Sequence, residues 1–326
     1  MSVLQESADH QGAIPLPRKQ TGEFLEKLFY GATAFFAYML LVLIPLILLT
    51  ILVQGWAAFA KFGLGFLSGR QWDPVADQYG AFAPILGTII TAVIAMLIAV
   101  PVSFGIAIFI TELAPPWLRS PLSSAVELLA GIPSVIFGIW GLFVFAPTFA
   151  KIQPSISNFF ENVPILGQLF SGPPMGIGML CAGVILSIMT IPFISAVMRE
   201  VFLTTPQILK ESAYAVGATT WEVIRNIVVP YTKSGVLGGI FLGLGRALGE
   251  TMAVTFVIGN AHDLTTSLFM PGTTISAVLA NEFSEATTPM YKSSLLALGV
   301  ILFLITFAVL IIARLLLGKA KQPAAI

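Results

Sequence analysis

The sequence predicts an all-α polytopic membrane protein with six transmembrane helices, and three observations carry that prediction. Hydrophobic residues make up 57% of the 326 positions and charged residues 10%, against about 25% charged in an average chain. Mean hydropathy is +0.94. The apolar residues also gather in uncharged runs long enough for the roughly 20-residue helix that crosses a bilayer, not in the short alternating segments of a transmembrane barrel. A formal net charge of +0 carries no polyanion signal, so nucleic acid is not an expected partner, whereas membrane lipid is.

Taken in order, residues 1–27 are polar, hold Pro15, Pro17, Arg18, Lys19 and Lys27, and read as a cytoplasmic tail without enough apolar content for a core. The first span is expected over 28–53 and is too long for a cleaved signal peptide, so it reads as a retained anchor. Pro45 inside it is tolerable where neighbouring groups take up the freed carbonyl. A periplasmic loop over 54–80 carries Trp56, Trp72 and Tyr79, aromatics suited to the membrane–water boundary. The second span covers Phe82 to Ile110 and ends at the Pro115–Pro116 pair. The third is expected from Leu122 to Phe145, with Glu127 near its start snorkelling to the surface.

From Pro147 to Pro174, four further features (Pro154, Pro164, Pro173 and Pro174 itself) predict a loop with room for one short surface helix. The fourth span covers Met175 to Val197 and contains Cys181, the only cysteine, which reads as packing. A polar stretch over 199–233 separates it from the fifth span, Ser234 to Ile258. A loop rich in Gly, Pro and Thr runs to Tyr291, the sixth span covers Ser294 to Leu316, and 319–326 form a cytoplasmic C-terminal tail. With the N-terminus inside, Arg18, Lys19, Lys27, Arg119, Arg199, Lys210, Arg225, Lys233, Arg314, Lys319 and Lys321 all fall on the cytoplasmic side. Only Lys61, Arg70, Lys151 and Lys292 fall outside, which predicts an N-in, C-in topology by the positive-inside rule.

The 199–233 stretch has internal order. Thr205 is a candidate cap for a helix with Pro206 in its first turn, Gly217 breaks that helix, Thr219 or Thr220 caps a second, and Pro230 ends it. Glu211-Ser-Ala213, Gly217 after three residues and Ile227-Val-Val-Pro230 after nine more resemble the "EAA" loop of ABC-importer permeases, E-A-A-x3-G-x9-I-x-L-P, with small departures at Ser212 and Val229. The resemblance implies that this loop docks in a groove of a separate ATPase. It implies coupling roles for Glu211, Ala213, Gly217, Ile227 and Pro230, with Glu211 and Gly217 fixing the loop's shape.

Further stretches narrow the resemblance: Trp72-Asp-Pro74, Tyr79-Gly-Ala-Phe-Ala-Pro-Ile-Leu-Gly-Thr88, Glu127-Leu-Leu-Ala-Gly-Ile-Pro-Ser-Val-Ile-Phe-Gly138 and Gly245-Arg-Ala-Leu-Gly-Glu-Thr-Met-Ala-Val254. They are similar to the PstC-type permease subunits of phosphate-specific ABC importers. That resemblance implies a type I ABC importer permease domain over 81–318 in a bacterial inner membrane. It also implies a homologous PstA-type permease, two PstB-type ATPases and a periplasmic phosphate-binding protein as partners. No cofactor is expected in this chain, since ATP and magnesium would be held by the ATPase.

The residues themselves support a non-catalytic role. No G-x-x-x-x-G-K-[ST] loop is present to cradle ATP. His10 and His262 lie outside the expected spans, so no constellation for intramembrane catalysis or metal binding forms. Arg246 and Glu250 stand out instead: a charge at the centre of a membrane helix costs roughly 2.5–3.5 kcal/mol on insertion scales. On one helix they would sit at i and i+4, within reach of each other. A buried ion pair is a poor source of stability, and Arg246 is the only basic residue expected deep within a span, Arg314 lying at the end of the sixth, with a guanidinium suited to phosphate oxygens. Both residues are therefore assigned to the substrate path, Arg246 attracting phosphate and Glu250 competing for the guanidinium so that the anion is not trapped. Gly235, Gly239 and Gly243, with Gly245 and Gly249 behind them, read as rows where helices approach closely. Two other functions stay open at this point: a permease for another oxyanion such as sulfate or molybdate, or a phosphate-signalling scaffold without flux.

Overall fold

A computed structural model describes residues 20–320. The expected tails at 1–19 and 321–326 lie outside the described residues. The chain divides into two units, 1–50 and 51–326. Helix α1 (Gln20–Phe62) begins in the first unit and there exposes large apolar residues from Phe24 to Leu49, among them Phe29, Tyr38 and Leu46, as expected of a helix that is apolar all round and meets lipid. Residues 20–27, expected in a polar tail, are helical and form the start of α1.

In the second unit α1 continues to Phe62, past the expected end at Val53. Ala58 is fully buried there, with Phe59 and Phe62 packed alongside. A short helix α2 (Gly65–Ser68) and a two-stranded hairpin, β1 (Trp72–Asp73) and β2 (Gln78–Tyr79), lead into α3 (Phe82–Ile108), which closes in a π turn, Phe109–Leu113.

The third span departs from expectation at both ends, as does the fifth, which was expected over Ser234–Ile258 and runs from Thr220 to Leu248. Leu122–Phe145 is not one helix: α4 (Pro116–Ala130) ends at Gly131, and a new helix starts beyond Pro133 as α5 (Ser134–Trp140). It continues through a π turn, Gly141–Phe145, into α6 (Ala146–Phe160). The span is therefore Ser134–Phe160. Pro147, expected in a loop, is carried inside this continuous helix, directly after the π turn. Pro154 is carried inside the helix. Helix α4 lies against the fourth span, and Glu127 on it meets Arg199 at 2.8 Å.

After the short α7 (Leu166–Leu169), α8 (Met179–Leu203) forms the fourth span, α9 (Gln207–Ala215) follows, and α10 (Thr220–Val223) runs through a π turn (Ile224–Val228) into α11 (Val229–Leu248). Pro230 therefore does not end a helix; it sits in the first turn of α11. Helices α12 (Met252–Val257) and α13 (Ile275–Glu282) precede the last span, α14 (Pro289–Ala320). Six helices in all are long and apolar enough to cross a membrane among the described residues.

Helix α8 is the centre of the packing. Small residues Ala92, Ala95 and Ala99 let α3 approach it, and Ser103 Oγ donates to the Ile191 carbonyl at 3.0 Å. On its other side α11 presents the predicted glycine row. A Cβ at Gly235, Gly239 or Gly243 would meet Val201, Val197 or Ile194 of α8 at 2.5, 3.1 and 2.5 Å. Gly245 faces open space, so the second row makes no such approach.

The far end from α9 is closed by a knot around the largely buried Glu282. Its carboxylate accepts from Trp72 Nε1 at 2.8 Å and Tyr291 Oη at 2.7 Å, and meets His262 Nε2 at 2.7 Å, while Trp72 stacks on His262. Burial raises the Glu282 carboxyl, but the hydrogen bonds from His262, Tyr291 and Trp72 outweigh it and hold the group below the usual carboxylate range.

Two predictions follow from this packing. A Cβ at Gly87 would lie 1.9 Å from the Thr273 carbonyl oxygen, so Gly87→Ala should lower stability by about 1–3 kcal/mol despite the gain in helix propensity. Gly245→Ala, in open space, should be neutral or stabilising; thermal melting of the detergent-solubilised protein separates the two. Replacing Glu282 with Leu should cost about 1–3 kcal/mol by stranding its donors. Because the folded Glu282 pKa is depressed, its contribution is full above the ordinary carboxylate value of about 4.3 and is lost as pH falls through the folded value. Melting curves should therefore diverge between wild type and variant at neutral pH and converge in acid.

Candidate translocation site and coupling element

Arg246 occupies the last turn of α11. From Lys233 the helix climbs about 20 Å to reach it, at 1.5 Å per residue, which is within the roughly 30 Å hydrocarbon layer. Its guanidinium carbon lies 5.2 Å from the centre of the Phe193 ring on α8, and its Nε is buried without a hydrogen-bond partner. The side chain as a whole is only partly covered.

The expected Arg246–Glu250 pair does not form. An i, i+4 pair needs an unbroken helix, and α11 stops at Leu248, with Gly249 in the cap position and the last turn tightened by a Glu250 N–H bond to the Ala247 carbonyl at 3.4 Å. Glu250 lies past the break and turns to the next helix: its Oε1 accepts the Ala253 N–H at 3.2 Å, and its carbonyl accepts from Ser276 Oγ at 2.8 Å. Glu250 thus serves the start of α12, a favourable place for a carboxylate. Among the described residues no ion pair involves Arg246. Two long-range partners escaped the sequence reading: Phe193, one apolar residue among many in its run, and the Glu282 knot, whose members come from β1, the loop after α12, α13 and α14.

The α9–α10 element is built by local chemistry that the sequence did announce. Gly217 has φ +89°, its N–H donates to the Tyr214 carbonyl at 3.0 Å and the Ala218 N–H to that of Ala213 at 3.0 Å. This pair of bonds is the Schellman closure of a helix. Thr219 then opens α10 with a capping box: the Glu222 N–H reaches Thr219 Oγ1 at 3.4 Å and the Thr219 N–H reaches Glu222 Oε2 at 2.8 Å. Thr205 is not the cap expected for α9, since Pro206 holds that position and Thr205 Oγ1 is buried without a partner.

Of the five residues assigned to coupling, Glu211, Gly217 and Pro230 are exposed, whereas Ala213 and Ile227 turn inward against Val223, Ile224 and Val228. Leu209, Val216 and Trp221 stand exposed on the same element, Val216 at 86%. So the element shows a mixed polar and apolar outer face over an apolar underside. Gly217 and Glu250 lie at opposite ends of the stretch from α10 to α11, but only Arg246, not Glu250, shares its continuous helix.

Comparison with known proteins now becomes informative. The family model of the binding-protein-dependent transport system inner membrane component matches residues 103–322. The phosphate transport system permease protein PstC of Mesorhizobium japonicum is 56% identical over 98% of both chains, and that of Pasteurella multocida 56% identical over 91% of this chain and 93% of its own. The Xylella fastidiosa 9a5c protein of the same name is 59% identical over 89% of each. Among solved structures, a bacterial ABC transporter involved in alginate import aligns with a TM-score of 0.58 at 15% identity, covering 93% of this chain and 100% of its own. A methionine ABC transporter in inward-facing form aligns with a TM-score of 0.52 at 16% identity, over 74% of this chain and 95% of its own. The structures speak to fold alone, an ABC importer permease; the sequence relatives go further. The chain belongs to the binding-protein-dependent transport inner-membrane component family and, within it, to the PstC-type phosphate transport system permeases.

Proposed function

We propose that this chain is one of two permease subunits of an ATP-driven importer that moves inorganic phosphate across a bacterial cytoplasmic membrane. The cargo is supported by the name its relatives at 54–59% identity carry. The observation that carries the mechanism is the single helix rod from Thr220 to Leu248, with the exposed α9–α10 element at one end and Arg246 near the other. An ATPase engaging α9 and α10 would push on that rod directly. The partners in this reading are a PstA-type permease, two PstB-type ATPases holding ATP and magnesium, and a periplasmic phosphate-binding protein.

The orientation in this reading is N-in and C-in. It is supported by Arg119, Arg199, Lys210 and Arg225 at the α9 end of the bundle, with Lys61 and Arg70 near the Glu282 knot. Arg246 would give phosphate a charge-assisted hydrogen bond in the path that the second permease completes. Weak holding follows from the site's composition: one guanidinium, with an aromatic face for a neighbour, cannot surround an oxyanion, and conduction requires entry without trapping. Glu250 acts in this account by setting the bend beyond Arg246, not by competing for it.

In vesicles holding the full complex, Arg246→Gln should assemble normally yet lose about tenfold or more of ATP-driven phosphate uptake, the equivalent of one charge-assisted bond of roughly 1.5–3 kcal/mol. Glu250→Gln keeps an acceptor oxygen for the Ala253 N–H and should retain most uptake; the reverse ranking of these two variants would refute the assignment. Gly217→Val forces a β-branched residue to φ +89° and should separate ATP hydrolysis from uptake, whereas Gly217→Asn, which tolerates positive φ better, should keep more of it. Equal coupling in both would remove α9–α10 from the mechanism.

A further inference from the structure

Lys210 lies on α9, beside the exposed Glu211, but its side chain turns the other way. Its Nζ meets Glu112 Oε1 at 2.6 Å, and the two side chains are 10% and 7% exposed. Among the described residues Lys210 is the one charged residue that is buried as a whole. Glu112 belongs to the π turn Phe109–Leu113 that ends α3. The pair therefore fastens the docking element to the second span, which no stretch of backbone joins to it directly.

The surroundings leave this pairing without a rival. The pair lines a cleft of about 470 Å³ with Arg119, Thr205, Gln207 and Tyr214, and Glu112 is the only carboxylate among the lining residues. Arg119 is engaged through Nε with the Ala114 carbonyl at 2.8 Å. Helices α8 and α11 are joined covalently to α9 and α10, whereas α3 meets α8 through mostly apolar side chains and the Ser103–Ile191 hydrogen bond in the last third of α3. Among the described residues, nothing polar but Lys210–Glu112 reaches α9 from the end of α3. Apolar surfaces of that kind can slide, because the attraction between them has no direction. A desolvated ion pair with one acceptor fixes register instead, which is the best-attested use of such pairs.

We propose that Lys210–Glu112 is a transmission strut: it carries displacement of α9 to the end of α3, so that the ATPase-facing element moves the second and fifth spans together. Both are positioning residues, neither touching phosphate nor ATP. The inference rests on the coupling role given above to α9–α10.

The test uses the complete complex with its binding protein in vesicles, reading phosphate accumulated per ATP hydrolysed. Lys210→Met and Glu112→Gln should each lower that ratio about tenfold, within the range for contacting residues, while the ATPase still co-purifies and hydrolyses ATP. The exchanged pair, Lys210→Glu with Glu112→Lys, should recover most of the ratio, a rescue that simple loss of packing would not give. Single variants at the wild-type ratio, or an exchanged pair no better than the singles, would overturn the strut. Should a single variant fail to assemble, recovery or non-recovery in the exchanged pair decides. A wild-type complex that accumulates no phosphate with ATP would instead overturn the broader reading on which the strut rests.

Discussion

A main-chain N–H or carbonyl left unpaired in hydrocarbon costs several kcal/mol, because lipid offers no replacement partner. That constraint shows at three helix ends of this bundle. Where α3 ends, the Ala114 N–H closes on the Phe109 carbonyl at 2.7 Å, and Arg119 takes the Ala114 carbonyl. Where α4 ends, the Gly131 N–H is shared between the Glu127 and Leu128 carbonyls. Where α11 ends, Glu250 supplies both a carboxylate for the following N–H and a carbonyl for Ser276. The last case reaches into function. A carboxylate committed to the backbone is withdrawn from the guanidinium four residues earlier, and Arg246 is left with an aromatic neighbour and an unpaired Nε.

Legibility in the sequence tracked how local the determining interaction was. The α9–α10 turn was readable to within a residue, as a break at Gly217 and a cap at Thr219 or Thr220, since a glycine at positive φ and a capping threonine act within a few positions. The second and sixth spans, Phe82–Leu113 and Pro289–Leu316, were readable to within about five residues at each end, whereas the fifth, expected over Ser234–Ile258, runs from Thr220 to Leu248. The third was not readable either, because hydropathy stays high on both sides of Gly131-Ile-Pro133, and an average over a window cannot see a break. The π turns were equally silent: Pro230 reads as a helix stop, yet it follows a π turn and the helix passes through it.

The candidate site divides along the same line. Arg246 could be picked out by type alone, a cation where the solvent is hydrocarbon. Its geometry could not, since pairing with Glu250 presumed a helix that ends at Leu248. The Lys210–Glu112 and Glu282 contacts join segments far apart in the chain, and no periodicity connects them. Each is an ordinary charged residue outside the predicted spans until the fold brings its partner alongside.

The turn between α9 and α10 has one more consequence. Closed by a Schellman motif on one side and a capping box on the other, with its underside packed on Val223 and Val228, it holds its shape before any partner arrives. A segment that is ordered in advance gives up little conformational entropy on contact, so more of the interaction energy appears as affinity. In the proposed assembly, docking of the ATPase would then be a rigid fit between ready surfaces, to which the exposed Val216, Trp221 and Glu211 would lend the complementarity that discriminates between partners.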